Sequence, residues 1–354
     1  MQNKSIAVPV KVGLAAFGMS GRVFHGPLIN AHPGFELKSI VERTYRGARD
    51  HYPAVRIVRK FEDLLSDDSL ELIVVDTPEI THYELSKKAL EAGKHVVVEK
   101  PFTVYSEEAE ELIAIAKSKG LVLSVFQNRR WDGDFITIQK VLSNNLLGRL
   151  VSYEAHFDRY KDQIKENTWK EERVTGSEIL FNLGAHLIDQ AFVLFGKPET
   201  VWADIGVQRT DGLVDDYYHL VLGYSGLHVT LKSSYQVREP GPKFILHGTK
   251  GSYLKWGMDP QEDQLKTGIA PMSENFGIED KKYWGKLNTG IGDLHFKGRI
   301  ETLSGNYLSY YDDIAHAIRD GAELSVKPEQ SLEVIRIIRA AIESNEKGIR
   351  VEGF

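Results

Sequence analysis

Val10-Lys11-Val12-Gly13-Leu14-Ala15-Ala16-Phe17-Gly18-Met19-Ser20-Gly21 is an apolar, β-branched run that breaks into a glycine-bearing turn. A strand followed by Ala-x-Gly-x-x-Gly is close to the dinucleotide fingerprint Gly-x-Gly-x-x-Gly, with Ala16 in place of its first glycine. Gly18 lets the backbone approach a pyrophosphate, Gly21 allows close helix packing, and the helix N-terminus receives the phosphates. A turn that needed glycine only for its own geometry would look much the same, so the reading depends on the elements downstream of Gly21. From Lys11 to about Gln127 short β-branched runs alternate with helical stretches, the pattern of βαβ units on a doubly wound parallel sheet. Strands are predicted at Val10–Phe17, Glu36–Val41, Val55–Val58, Leu70–Asp76, His95–Val98 and Leu121–Phe126. Helices are predicted at Thr81–Ala92 and Ser106–Ser118, ending at Gly93 and Gly120, with Ser106 and Thr81 as N-caps.

Open α/β sheets bind ligands beyond the carboxyl ends of their strands, and three strand ends carry chemistry here. After the second strand come Glu42 and Arg43, about the expected distance beyond the glycines. A carboxylate there accepts both ribose hydroxyls and repels a 2′-phosphate, which favours NAD. Arg43 argues the other way unless it lies flat on the adenine, and leaves NADP open. The fourth strand delivers Asp76-Thr77-Pro78-Glu79-Ile80-Thr81-His82, in which Thr77 faces the cofactor and His82 is either a ligand-facing imidazole or a packing group. The fifth delivers Glu99-Lys100-Pro101. Proline stops the strand from pairing and presents the lysine to the crevice.

The 354-residue chain is long enough for two domains, divided here at residues 1–127 and 128–354. With 42% hydrophobic and 27% charged residues it has a globular composition, without an apolar run of membrane-spanning length or a signal-peptide order, which predicts a cytoplasmic protein. Zero cysteines exclude disulfides, thiolate catalysis and cysteine-bound zinc. A net charge of -6 without a basic stripe excludes a nucleic-acid partner and points to a small molecule. No histidine and carboxylate cluster has metal-ligand spacing.

The second half begins with a helix near Phe135–Ser143 and continues with strand-like runs at Leu150–His156, Thr200–Ile205, Tyr217–Tyr224, His228–Ser234 and Lys243–Gly248. These suggest a mixed or antiparallel sheet, with helices at Ala185–Phe195, Tyr307–Arg319 and Pro328–Glu346. Lys266–Lys297, rich in Gly, Asp, Lys and Asn, is predicted to be loop. In the run from Gly176 to Gln190, Asn182 and His186 are spaced i, i+4 and share a helical face, with Asp189 three residues further on. A histidine titrating near neutrality takes a proton from a hydroxyl as hydride leaves the same carbon.

The fingerprint, the Glu99-Lys100-Pro101-Phe102 turn and the Gly184-x-His186-x-x-Asp189 run together resemble the glucose-fructose oxidoreductase and inositol dehydrogenase (Gfo/Idh/MocA) family, over nearly the whole chain. Val23-Phe24-His25, Gln127-Asn128-Arg129-Arg130-Trp131-Asp132 and Asp259-Pro260-Gln261-Glu262 resemble its scyllo-inositol dehydrogenase-like branch. The resemblance implies an N-terminal Rossmann domain and a C-terminal α+β domain. The large, mostly antiparallel open sheet of the second domain would make a homodimer or homotetramer. It also implies hydride transfer between the CH–OH group of a cyclic polyol or sugar and NAD(P), with Lys100 on the reacting oxygen, His186 as general acid/base, and Lys100 and His186 meeting across the cleft. On this reading Ala16, Gly18, Met19, Gly21, Glu42, Arg43, Thr77, Pro78, His82, Glu99 and Lys100 hold the cofactor. Lys100, Arg129, Trp131, Tyr160, Trp169, Asn182 and His186 hold the substrate. The chain departs from the family at Asn182, where aspartate is common, and at Glu79, where asparagine is common. A non-catalytic NAD-binding sensor and an NAD-assisted glycoside-cleaving enzyme remain as alternatives.

Overall fold

The computed structural model describes residues 8–45, 47–164, 168, 171–172, 176 and 178–354. Its α-helices are α1 (Gly26–Ala31), α2 (Ala48–His51), α3 (Glu62–Leu65), α4 (His82–Glu91), α5 (Ser106–Lys119), α6 (Gly133–Ser143), α7 (Ala185–Phe195), α8 (Gln261–Lys266), α9 (Leu308–Asp320) and α10 (Pro328–Lys347). The chain forms two compact units.

The first unit holds Met1–Trp131 with two later segments, Pro260–Phe276 and Asn306–Leu332, so α8 and α9 return from the second half of the sequence to pack with the first sheet. That sheet comprises β1 (Val10–Leu14), β2 (Phe35–Val41), β3 (Arg56–Val58), β4 (Leu72–Val75), β5 (His95–Val98) and β6 (Leu123–Val125), parallel throughout. The spatial order β3-β2-β1-β4-β5-β6 is that of a Rossmann sheet, and strand order reverses between β1 and β4. Its middle strands are apolar on both faces, as Leu72–Val75 shows, because helices cover both sides. Several observed strands are shorter than predicted, since Ala15 to Phe17 and Asp76 already belong to the turns. Gly93 and Gly120 adopt left-handed φ of 76° and 64°, as expected of residues that end α4 and α5. The N-cap of α5 is Tyr105 rather than Ser106, and its N–H donates to Glu108 at 3.3 Å. Thr81 stands at the N-cap of α4, but its hydroxyl bonds Thr77 Oγ1 and Pro78 O instead of capping.

The second unit holds Asp132–Asp259, Gly277–Gly305 and Glu333–Phe354. Its sheet comprises β7 (Leu150–His156), β8 (Thr200–Gly206), β9 (Tyr217–Tyr224), β10 (Leu227–Ser234), β11 (Phe244–Gly248), β12 (Gly251–Lys255), β13 (Gly285–Ile291), β14 (Leu294–Ile300) and β15 (Val351–Glu352). The order is β14-β13-β12-β11-β7-β10-β9-β8-β15, antiparallel except where β10 pairs with β7. Alternation along β9 and β10 buries Tyr218, Leu220, Leu222, Val229 and Leu231, leaving the intervening residues partly exposed. From α10, Val334, Ile335, Ile337, Ile338 and Ala341 are buried. The predicted loop Lys266–Lys297 is corrected in its second part: β13 and most of β14 form a hairpin there, turning at Gly292 with φ 58°. Buried Leu287 and Thr289 alternate with exposed Lys286, Asn288 and Gly290. The glycines and polar outer positions of an edge hairpin masked that two-residue period.

Candidate active site

The first unit builds its site at the β1/β4 reversal. Ala16 N–H donates to Asp76 Oδ1 at 2.7 Å, joining the first turn to the end of β4. Non-glycine residues with left-handed φ, among those described, are Asn145 and Asp211, so Ala16 fills its glycine position without strain. A Cβ on Gly21 would lie 2.5 Å from Asp76 Oδ2 and 2.8 Å from Ala16 O, so this position requires glycine. At Gly18 a Cβ would meet nothing within 4 Å: the loop leaves open space over its backbone, as a pyrophosphate needs. The described residues therefore fit a dinucleotide. Met19, half exposed, stands at the tip of the loop. The helix after the loop opens with a π-turn, Gly21–His25, a local widening often found at functional sites.

Asp76 is almost fully buried, and its Oδ2 has no hydrogen-bond partner among the described residues. Burial pushes its carboxyl well above the usual range, and the Glu99 charge adds to the rise against the Ala16 N–H. Glu99, at the end of β5, behaves in the opposite way. Burial pushes it up, but hydrogen bonds from His25 and Ser20 and the charges of His25 and Lys100 outweigh that and hold it at about 2. The Lys100-Pro101 bond is cis. His82 is 1% exposed, with Nδ1 2.8 Å from Pro101 O and Nε2 2.9 Å from Thr77 O. Its ring thus braces the Thr77-Pro78 turn against the lysine turn, and burial lowers its pKa against the pull of the two carbonyls. Of the two roles open to His82, these contacts are those of a packing group.

At the end of β2, Glu42 is 4% exposed. Its Oε1 accepts the Ala48 N–H at 3.0 Å and its Oε2 lies 3.8 Å from the Arg59 guanidinium. Arg43 and Arg59 are solvent-exposed. Of the proposed substrate residues in this unit, Arg129 is buried and paired with Glu262 at 2.5 Å. Trp131 meets Tyr310 edge-on at 5.7 Å, and its carbonyl accepts from Gln261 Nε2 and Asn306 N.

In the second unit the segment before α7 is again a π-turn, Leu180–Gly184, and contains Asn182. His186 is 6% exposed and its ring stacks on Phe157 at 6.1 Å, with an interplanar angle of 26°. The Arg159 guanidinium lies 5.1 Å from the Phe157 ring centroid. Asn182 hydrogen-bonds the hydroxyl of Tyr235, a residue that sequence reasoning missed although it directly follows β10. Burial raises the Tyr235 pKa, while the charges of Arg159 and Arg209 and the Asn182 bond pull it back. Arg209 is held by Asp216 and Glu171, each at 2.7 Å. Tyr160 faces solvent beneath the Arg238 guanidinium, 4.2 Å from its ring centroid, and Trp169 lies outside the described residues. Among the described residues there is no grouping of three or more histidines and acids that could hold a metal, and no helix long and apolar enough to cross a membrane.

The NAD-binding Rossmann-fold profile of the Gfo/Idh/MocA oxidoreductases matches residues 10–127, and the profile of that family's C-terminal alpha/beta domain matches 139–352. The chain is 39% identical over 338 residues to the scyllo-inositol 2-dehydrogenase (NADP(+)) IolW of Bacillus subtilis, covering 96% of this chain and 94% of IolW. It is 40% identical to the uncharacterized oxidoreductase YdgJ of Escherichia coli, covering 95% of this chain and 96% of YdgJ. A crystal structure of a Bacteroides fragilis protein superposes with a TM-score of 0.90 at 47% identity, covering 98% of this chain and all of that one. A chain matched by both family profiles, with this sheet order and this glycine loop, belongs to the Gfo/Idh/MocA family of oxidoreductases, with an NAD(P)-binding Rossmann domain.

Proposed function

We propose that this protein is an NAD(P)-dependent dehydrogenase that oxidises a CH–OH group of a cyclic polyol or sugar, with an inositol as the first substrate to try. The observation that carries the reading is the near full-length similarity to IolW, an NADP(+)-dependent scyllo-inositol 2-dehydrogenase. The nicotinamide, when bound, supplies the hydride acceptor. Gly18 and the helix opening at Gly21 hold the phosphates. The Lys100 ammonium hydrogen-bonds the reacting oxygen and stabilises negative charge that develops on it. His186, braced against Phe157, takes the hydroxyl proton, and Asn182 orients a neighbouring hydroxyl without accepting a proton itself.

For the adenosine end, Glu42 shares its carboxylate with Ala48 N–H and Arg59, while Arg43 and Arg59 offer cations to a 2′-phosphate. That supports use of NADP as well as NAD. On the same reading the protein is cytoplasmic and assembles as a homodimer or homotetramer through the sheet of its second unit; a monomer by sedimentation would overturn the assembly. Lys100→Ala and His186→Ala should each lower kcat by three orders of magnitude or more while dinucleotide still quenches tryptophan fluorescence. Near wild-type turnover in both variants would sink the assignment.

A further inference from the structure

Glu99 is where donors from separate parts of the first unit meet. The Ser20 hydroxyl donates to it from the glycine loop. His25 Nε2, from the π-turn after that loop, lies 3.0 Å from Oε1, and Lys100 N–H donates to Oε2 at 3.0 Å. His25 reaches further: its Nδ1 is 2.6 Å from the Tyr311 hydroxyl on α9, 286 residues away in sequence. The His25 ring has no solvent exposure and lies 4.3 Å from the Phe126 ring, so the imidazole has no room to turn elsewhere.

For an uncharged His25 one assignment of hydrogens satisfies every contact. A carboxylate only accepts, so Nε2 of His25 carries a hydrogen and Nδ1 accepts from Tyr311. Burial pushes the Tyr311 phenol well above its ordinary range, so it keeps the proton it must donate. The order runs Tyr311 to His25 to Glu99. Around Glu99 stand Lys100 on its own turn, Asp76 after β4, His82 of α4, and Tyr310 and Tyr311 of α9. Burial raises the Asp76 pKa while the donors around Glu99 hold it low, so Glu99 is the more acidic carboxyl beside Lys100.

We propose that Tyr311 and His25 are positioning residues that hold Glu99 as a fixed anion, clasping the glycine loop to the Lys100 turn and so setting the lysine for catalysis. The clasp rests on the reading of Lys100 given above.

The test uses the full chain, with Tyr311→Phe, which removes one hydroxyl and keeps the ring, and Glu99→Gln, which keeps the shape and removes the charge. In the wild type, wherever His25 is uncharged, ¹⁵N shifts of its ring should report a protonated Nε2 and an unprotonated Nδ1. Tyr311→Phe should leave the hydrogen on Nε2 facing Glu99 but shift the Nδ1 resonance, which has lost its donor, and lower kcat about tenfold with the KM for substrate within about twofold, as a small misplacement of a catalytic group does. Glu99→Gln should lower kcat about a hundredfold. Because a negative charge is gone, it should also move the ionisations of the kcat/KM profile to lower pH. An unmoved His25 spectrum in Tyr311→Phe, or loss of activity in proportion to loss of fold with an unmoved pH profile, would overturn the clasp. If the wild type transferred no hydride to any substrate, the dehydrogenase reading would fail, while the His25 spectra would still decide the proton order.

Discussion

Asp76 and Glu99 end neighbouring strands at the same level, one residue beyond the paired Val75 and Val98, and both are nearly excluded from water. Yet one carboxyl is pushed well up and the other is held at about 2. Depth therefore does not decide which way the pKa moves; donors do. Asp76 receives one backbone N–H, whereas Glu99 receives a hydroxyl, an imidazole N–H and a backbone N–H, with the Lys100 charge beside it. The arrangement suits a dinucleotide site. An ionised Asp76 beneath Gly21 would repel the phosphates, while an ionised Glu99 keeps company with the lysine.

The contrast breaks most readily at Glu99. Its folded pKa lies below the unfolded value of 4.5, so its contribution is present above pH 4.5 and is lost as pH falls from 4.5 toward 2. At about 1.4 kcal/mol per pKa unit this amounts to about 3 kcal/mol at pH 7. Urea midpoints for Glu99→Gln should show most of that loss at pH 7 and a closing gap below pH 4.5. A gap independent of pH would mean the charge contributes nothing.

Gly21→Ala comes next. The new methyl must displace Asp76 Oδ2 or the Ala16 carbonyl, which costs about 1–3 kcal/mol for an overpacked position. It should also weaken NAD binding at least tenfold by isothermal titration. Unchanged affinity would show that the loop tolerates what its geometry forbids.

The smallest effect has the opposite sign. With a folded pKa above the unfolded 3.8, Asp76 binds more protons in the folded state, so its presence lowers stability progressively as pH rises above 3.8. Asp76→Asn keeps an acceptor for Ala16 N–H and removes the titration. It should be more stable than wild type at pH 7, with the difference vanishing near pH 3.8. Destabilisation at both pH values would show that Asp76 is charged and needed.

Much of this was legible in sequence. Gly18, Gly21 and Lys100 announce themselves through local rules: a turn after a strand, a proline after a lysine. The parallel, doubly wound character of the first sheet follows from βαβ alternation. Tyr311 could not be read that way, since on an amphipathic helix it looks like any core aromatic and its partner His25 is 286 residues distant. Asp76 looked like a strand-ending acid because its raised pKa comes from burial, which sequence does not show. The β13–β14 hairpin was obscured by glycine and polar residues at an edge, and Tyr235 by the neighbour, Asn182, that gives it a role.

The central claim is hydride transfer from a polyol, and one assay meets it directly: reduced-nicotinamide absorbance with NAD and with NADP across inositol isomers, aldoses and their lactones, for wild type and Lys100→Ala. Turnover of at least one cyclic polyol or sugar by the wild type, lost in Lys100→Ala, is the predicted result. No hydride transfer with either cofactor across the whole panel, from a protein that binds the dinucleotide, would contradict it.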